Sequence, residues 1–177
     1  SSPIVTGSYV FVTSVETAAG IGEPKPGFYL PGVVADTSPA VHRWRLFAFD
    51  LATGALRWAR TLAETPPPLP KHLKNSYASE TPVTDGERVY VYSAHAGLFA
   101  FYLDGRPAWS KALAPRKTRN GWGPAQSPVL HQGRVYVVND NDEASFVAAF
   151  DARTGTELWR TSRDEGTNWS SPFVWEH

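Results

Sequence analysis

Along this chain, short runs in which β-branched and aromatic residues alternate with other positions occur in pairs, each pair split by a turn dipeptide. Ile4-Val5 leads across Thr6-Gly7 to Val10-Phe11-Val12, Val83 leads across Asp85-Gly86 to Val89-Tyr90-Val91, and Val129 leads across Gln132-Gly133 to Val135-Tyr136-Val137. Period-two alternation predicts strands, and the glycine dipeptides accept the positive φ that a hairpin demands. A hydroxyl residue and a proline introduce each pair: Ser2-Pro3, Thr81-Pro82 and Ser127-Pro128.

A second pattern closes each unit. Ala48-Phe49-Asp50-Leu51-Ala52-Thr53-Gly54 runs on to Trp58, Ala149-Phe150-Asp151-Ala152-Arg153-Thr154-Gly155 runs on to Trp159, and a shorter form joins Ala100 through Asp104-Gly105 to Trp109. Asp and Thr side chains accept from turn amides and Gly supplies the left-handed residue, so each phrase predicts another hairpin. Two hairpins make one four-stranded antiparallel sheet. The tryptophans recur at intervals of 51 and 50 residues (Trp58, Trp109, Trp159), a period that signals a repeat architecture. The fold class predicted is all-β, a β-propeller of four-stranded antiparallel blades, with each Trp filling the wedge between neighbouring sheets.

Placing the two patterns along the chain gives blade one at 1–63, blade two at 79–113 and blade three at 126–162, joined by connections at 64–78 and 114–125. Pro3 and Pro82 are further apart than the later pairs. The excess falls in an insertion at 18–42 and in the proline-rich Pro66-Pro67-Pro68-Leu69-Pro70, since proline at that density disfavours helix and central strand alike. Ser171-Pro172-Phe173-Val174-Trp175 matches the strand-starting element once more, so 168–177 reads as the start of blade four. Closed propellers have about four to eight blades. The chain thus reads as a partial propeller: a piece of a longer polypeptide in the favoured reading, or else copies that complete one another, or a small ring closed by the last strand.

Composition narrows partners more than it names them. Lys plus Arg and Asp plus Glu stand at 17 each, which gives no reason to expect nucleic acid or an anionic membrane. The densest basic run, Arg116-Lys117-Thr118-Arg119, lacks a recognition-helix pattern and reads as a solvated loop. No stretch approaches the roughly 18 apolar residues of a membrane span. Neither Cys nor Met is present, so disulfides and thiolate metal sites are excluded.

On the Ala-x-Asp-x-x-Thr-Gly-x-x-x-Trp phrase, the sequence resembles the tryptophan-docking motif of the pyrroloquinoline quinone (PQQ) repeat. That repeat builds the blades of quinoprotein alcohol dehydrogenases and of related non-catalytic propellers. The motif residues carried over are Ala48, Asp50, Thr53, Gly54, Trp58, Ala100, Gly105, Trp109, Ala149, Asp151, Thr154, Gly155 and Trp159. The strings from His72 to Val91 and from Asp164 to Trp175 look like those of periplasmic or secreted bacterial members, which implies that location. Quinone-dependent members are associated with an adjacent cysteine pair over the cofactor, a calcium held by Glu, Asn and Asp, and a catalytic Asp. This sequence has no such pair, and no calcium set aligns residue by residue.

Residues preceding each Ser/Thr-Pro sit where a propeller's strand connections reach the mouth of its central channel: Asn75, Tyr77, Glu80, Trp122, Gln126, Asn168 and Trp169, with Ser76, Ser79, Ser127, Ser170 and Ser171 among them. Aromatics mixed with amides and hydroxyls suit a polar ligand, and they equally suit turn capping and packing between blades. Asp140, Asp142 and Glu143 concentrate oxygen ligands of the kind Ca2+ takes, but their position and Asx content favour a hairpin turn. The five histidines lack zinc spacing, and no nucleophile elbow or P-loop is present. The expectation is therefore a non-catalytic scaffold that binds a protein or a polar small molecule, self-associates through open blade faces, and needs no cofactor. The alternative is part of a PQQ- and Ca2+-dependent alcohol or sugar dehydrogenase, with Glu80 or Asp140 as the local acids.

Overall fold

The computed structural model describes residues 1–18, 35 and 38–176. Among the described residues, twelve strands form three separate four-stranded antiparallel sheets, each in plain sequential order. The first holds β1 (Ile4–Thr6), β2 (Tyr9–Thr17), β3 (His42–Asp50) and β4 (Leu56–Thr65). The second holds β5 (Val83–Thr84), β6 (Arg88–Ser93), β7 (Gly97–Tyr102) and β8 (Pro107–Lys111). The third holds β9 (Val129–His131), β10 (Arg134–Asn139), β11 (Phe146–Asp151) and β12 (Glu157–Ser162). This is the all-β partial propeller that the two hairpin patterns predict. The first strands β5 and β9 approach one another, which sets the first strand of each sheet innermost.

In the first sheet Thr17 pairs with His42, so the chain between them is the β2–β3 connection. Most of the insertion read at 18–42 lies outside the described residues, as does His177. Among the described residues no helix is long and apolar enough to cross a membrane.

The repeated phrase has a stereochemical basis in every sheet. Ala48 pairs with Trp58, Ala100 with Trp109 and Ala149 with Trp159, and each ladder shifts register by one residue immediately after the alanine. A bulge leaves one residue of the outer strand unpaired and sharpens the local twist. A methyl group opposite the indole leaves room for the ring, and all three alanines are fully buried. In the turns that follow, Asp50 Oδ1 accepts from Ala52 N, Thr53 N and Thr53 Oγ1 at 3.0, 2.8 and 2.9 Å; Asp151 Oδ1 repeats this with Arg153 N, Thr154 N and Thr154 Oγ1 at the same distances.

Those turns are what the tryptophans dock against, one sheet further on. Trp58 Nε1 donates to Leu103 O and Trp109 Nε1 to Ala152 O, both at 2.9 Å. The rings lie flat on the glycines: a Cβ on Gly105 would sit 2.8 Å from the Trp58 ring, and one on Gly155 would sit 2.6 Å from the Trp109 ring. Gly54, in the same turn of the first sheet, has open space around it, and Trp159 is 43% exposed. The expected wedge is filled at two sheet interfaces, while Trp159 makes no such contact among the described residues.

Apolar packing follows the same geometry. Phe11, Leu46 and Ala48 of the first sheet close against Val89, Val91 and Phe101 of the second. Tyr90, Tyr92, Leu98 and Ala100 of the second close against Val135, Val137, Phe146 and Phe150 of the third. Strand β6 sends alternate residues to opposite neighbours, so both of its faces are buried and period-two alternation is lost from its burial pattern. Fully burying such a side chain contributes about 1.5–3 kcal/mol.

The fourth start takes its place without a ladder of its own. Ser127 N donates to Ser171 Oγ at 2.9 Å, which sets Ser171 in line with the earlier starts, yet Pro172–Glu176 forms no strand. A strand exists only through its ladder, and none of the described residues pairs with this segment. Phe173 and Trp175 stand 80% and 77% exposed.

Candidate functional site

Four Ser/Thr-Pro starts are threaded together by one repeated hydrogen bond. Ser2 N donates to Thr81 Oγ1 at 3.2 Å, Thr81 N to Ser127 Oγ at 2.9 Å, and Ser127 N to Ser171 Oγ at 2.9 Å. Thr81 and Ser127 therefore each accept from the preceding unit and donate their amide to the next. The proline beside it carries no N–H of its own that would need a partner. This chain of bonds gathers the connecting loops of all units at one end of the sheets.

The candidate residues in those loops separate into an inward and an outward group. Glu80 and Gln126 occupy equivalent slots, one residue before Thr81 and Ser127, and are only 3% and 1% exposed. Glu80 Oε1 accepts from Ala94 N at 3.0 Å, in the turn between β6 and β7. Gln126 Nε2 donates to Asp140 O at 3.2 Å, in the equivalent turn of the third sheet, and also to Asn168 O. Both side chains thus pin the top of their own blade. Tyr77 is buried as well, and its carbonyl accepts from Trp44 Nε1 at 2.8 Å.

Half-buried, the rings of Trp122 and Trp169 stack with centroids 5.7 Å apart, and Trp169 Nε1 donates to Gly123 O at 2.8 Å. His72 stands edge-on to Trp122 at 5.2 Å. Asn168 is exposed and accepts from Ser170 N at 2.8 Å, whereas Asn75 Oδ1 accepts from Ser76 N and Ser79 Oγ at 2.9 and 2.6 Å. The loops thus present an aromatic platform flanked by amides and hydroxyls.

Between the first two sheets lies a cluster that histidine spacing alone does not reveal. His95 stacks on Trp44 at 5.6 Å, and Tyr77 meets His95 and His42 edge-on at 5.3 and 5.1 Å. Burial, with the His42 charge adding to it, pushes the His95 imidazole down to about 4. Its Nδ1 has no hydrogen-bond partner. Burial likewise drives the Glu80 carboxyl up to about 7, against the pull of the Ala94 amide. Between the first two sheets Glu80, Ser93 and Thr13 line a cavity of about 10 Å3, the size of a single water. The signal that would have found His42 and His95 is the blade period: each lies where the third strand of its sheet begins, as does the turn holding Asn141 in the third sheet.

The oxygen-rich turn Asp140–Glu143 spends its carboxylates on protein donors. Arg163 binds Asp140 through Nε and Nη2 at 2.7 and 3.3 Å. Asp142 Oδ1 accepts from Thr167 Oγ1 and N at 2.6 and 3.1 Å, and Glu143 Oε2 accepts from Lys117 N at 2.9 Å. Asn141 Oδ1 caps the turn by accepting from Glu143 N and Ala144 N. Asp140, Asp142 and Glu143 thus each face a different protein donor. Among the described residues no three His, Asp or Glu side chains are grouped to hold a metal.

Residues 42–173 match the PQQ_2 family model, described as outer membrane protein assembly factor BamB. This chain belongs to that PQQ-like propeller family. Of solved structures, a europium-containing methanol dehydrogenase is similar over 90% of the chain, with 15% identity and a TM-score of 0.54. BamB from Moraxella catarrhalis is similar over 72% of it, with 18% identity and a TM-score of 0.43. The quinohemoprotein alcohol dehydrogenase of Comamonas testosteroni is similar over 74%, with 18% identity and a TM-score of 0.46. The chain spans 24%, 34% and 21% of those structures' own lengths. At such identities the methanol dehydrogenase likeness bears on the fold alone. A search of curated proteins found no match. At the level of the family, the description points to the cell envelope.

Proposed function

We propose that this propeller segment serves as a non-catalytic binding or protein-interaction scaffold in the periplasm or secreted space. The observation that carries the reading is the fate of the acidic side chains at the loop end of the sheets. Glu80 is sealed under the Ala94 amide and Asp140 under the Arg163 guanidinium, so neither local acid is free to hold calcium or to take a proton from an alcohol. Both acids are thus engaged within their own blades, which supports the scaffold over the PQQ- and Ca2+-dependent alternative. What the loops offer instead is the stacked Trp122–Trp169 pair with Asn168 beside it. Rigid aromatics rimmed by amides bury large area at small entropic cost on binding a protein or a polar ligand.

The test is a titration of the chain with PQQ and Ca2+, followed by tryptophan fluorescence, with dye reduction measured on primary alcohols and aldose sugars. Absence of saturable quenching and of turnover is expected. Saturable binding accompanied by dye reduction would overturn the scaffold reading in favour of a dehydrogenase.

A further inference from the structure

At the end of the sheets opposite the loop platform, the second and third sheets part to leave a groove of about 500 Å3, within the range of small-molecule sites. Its floor is formed by Tyr90, Ala152 and Leu158, and its walls carry Arg134 and Arg153 beside Asp85 and Asp151. Arg88 also lines the groove, beside Asp85 and Glu87 at 3.8 and 3.4 Å, so three arginines face two aspartates, and the hydrogen bonds do not treat them alike. Asp85 Oδ1 accepts from Glu87 N and Arg88 N at 2.9 and 2.7 Å, and Oδ2 accepts from the Tyr90 hydroxyl at 2.6 Å. Asp151 is consumed by the three donors of its own turn. Both carboxylates thus face inward to the hairpins that they hold. The guanidinium groups of Arg134 and Arg153, in contrast, make no hydrogen bond or ion pair among the described residues, and both residues are exposed.

We infer that this groove is a binding site for a small anion bearing phosphate or carboxylate groups, held by Arg134 and Arg153. Guanidinium groups pair with both chemistries through two parallel N–H donors. The two arginines reach the groove from different hairpins, Arg134 from the start of β10 and Arg153 from the turn after β11, whose ends pair as Arg134 with Asp151. The opposite wall belongs to another sheet, so a ligand seated here would bridge two blades. Leu158 and Ala152 give it an apolar surface on which to lie. The site rests on complete sheets and is independent of the loop platform and of the scaffold reading.

Trp109 supplies a built-in reporter, because its indole N–H donates to the carbonyl of Ala152 in the groove floor. Trp58 makes the same bond to Leu103 at the other sheet interface and serves as the internal control. Inorganic pyrophosphate and citrate are titrated separately into the 15N-labelled chain at low ionic strength. A saturable shift of the Trp109 indole signal with a still Trp58 signal is expected, and Arg134→Gln with Arg153→Gln should weaken it at least tenfold. Arg116→Ala, on the far loop, should leave it unchanged. Saturation by pyrophosphate alone assigns phosphate, by citrate alone carboxylate, and by both a site for either. No saturable shift, joint movement of both indoles, or equal affinity in the double variant would refute the site; near-ultraviolet circular dichroism verifies that the variants fold.

Discussion

Glu80→Gln gives the sharpest test of the buried polar contacts between the first two sheets. The wild-type carboxyl is lifted from its ordinary value of 4.5 to about 7, chiefly because burial penalises its charged form. The folded state therefore holds the Glu80 proton more tightly than the unfolded state does. Its favourable contribution is complete below pH 4.5, falls as pH rises, and is gone above pH 7. At about 1.4 kcal/mol per unit, the ionised carboxylate costs the fold about 3 kcal/mol at pH 8 relative to pH 4. Glutamine keeps the acceptor oxygen for Ala94 N and adds an amide donor in a cavity where Ser93 Oγ has no partner. Urea unfolding of both proteins from pH 4 to pH 9, followed by tryptophan emission, should show near-equal stability at pH 4. By pH 8 the variant should be about 2–3 kcal/mol more stable, with unchanged urea dependence. Other titrating groups cancel in the difference between the two proteins. Parallel curves, or a variant that is less stable at pH 8, would show that Glu80 is solvated or paired in a way that removes the burial penalty.

His95 acts with the opposite sign. Its folded value of about 4 lies below the ordinary 6.5, so its contribution is present above pH 6.5 and lost as pH falls through 4, by about 3 kcal/mol. His95→Phe should flatten that acid limb while keeping the stack on Trp44, as the same urea series would show. Gly155→Ala and Gly54→Ala separate docking from backbone strain, since both glycines have positive φ, +72° and +70°, but only Gly155 lies under a tryptophan. We expect losses of about 3 and about 1 kcal/mol respectively by thermal unfolding, and equal losses would show that Trp109 moves aside freely.

Most of the fold is legible because repetition makes each local signal appear three times. The Asp-x-x-Thr-Gly turn, its glycine and the Trp that closes it are all short-range features, and the alanine opposite each Trp is readable once the bulge is recognised. One feature escaped because it is set by partners distant in sequence. The ladder of Ser/Thr hydroxyls joins residues 79, 46 and 44 positions apart, and no local pattern encodes that reach.

The candidate site was less legible for a reason that lies in the repeat itself. One slot, the residue before each hydroxyl-proline, holds Ser1, Glu80, Gln126 and Ser170. The backbone delivers all four to the same end of the sheets, yet Glu80 and Gln126 turn inward to hold their blades while Ser170 stays exposed. Tyr77 likewise reads as a ligand residue by position and is consumed by packing against Trp44 and His95. Repetition thus specifies where a side chain starts, and the turn above it decides whether it faces the interior or the solvent. Both proposed sites are departures from the repeat: the Trp122–Trp169 stack on one end, and on the other the two arginines whose carboxylate neighbours are already engaged.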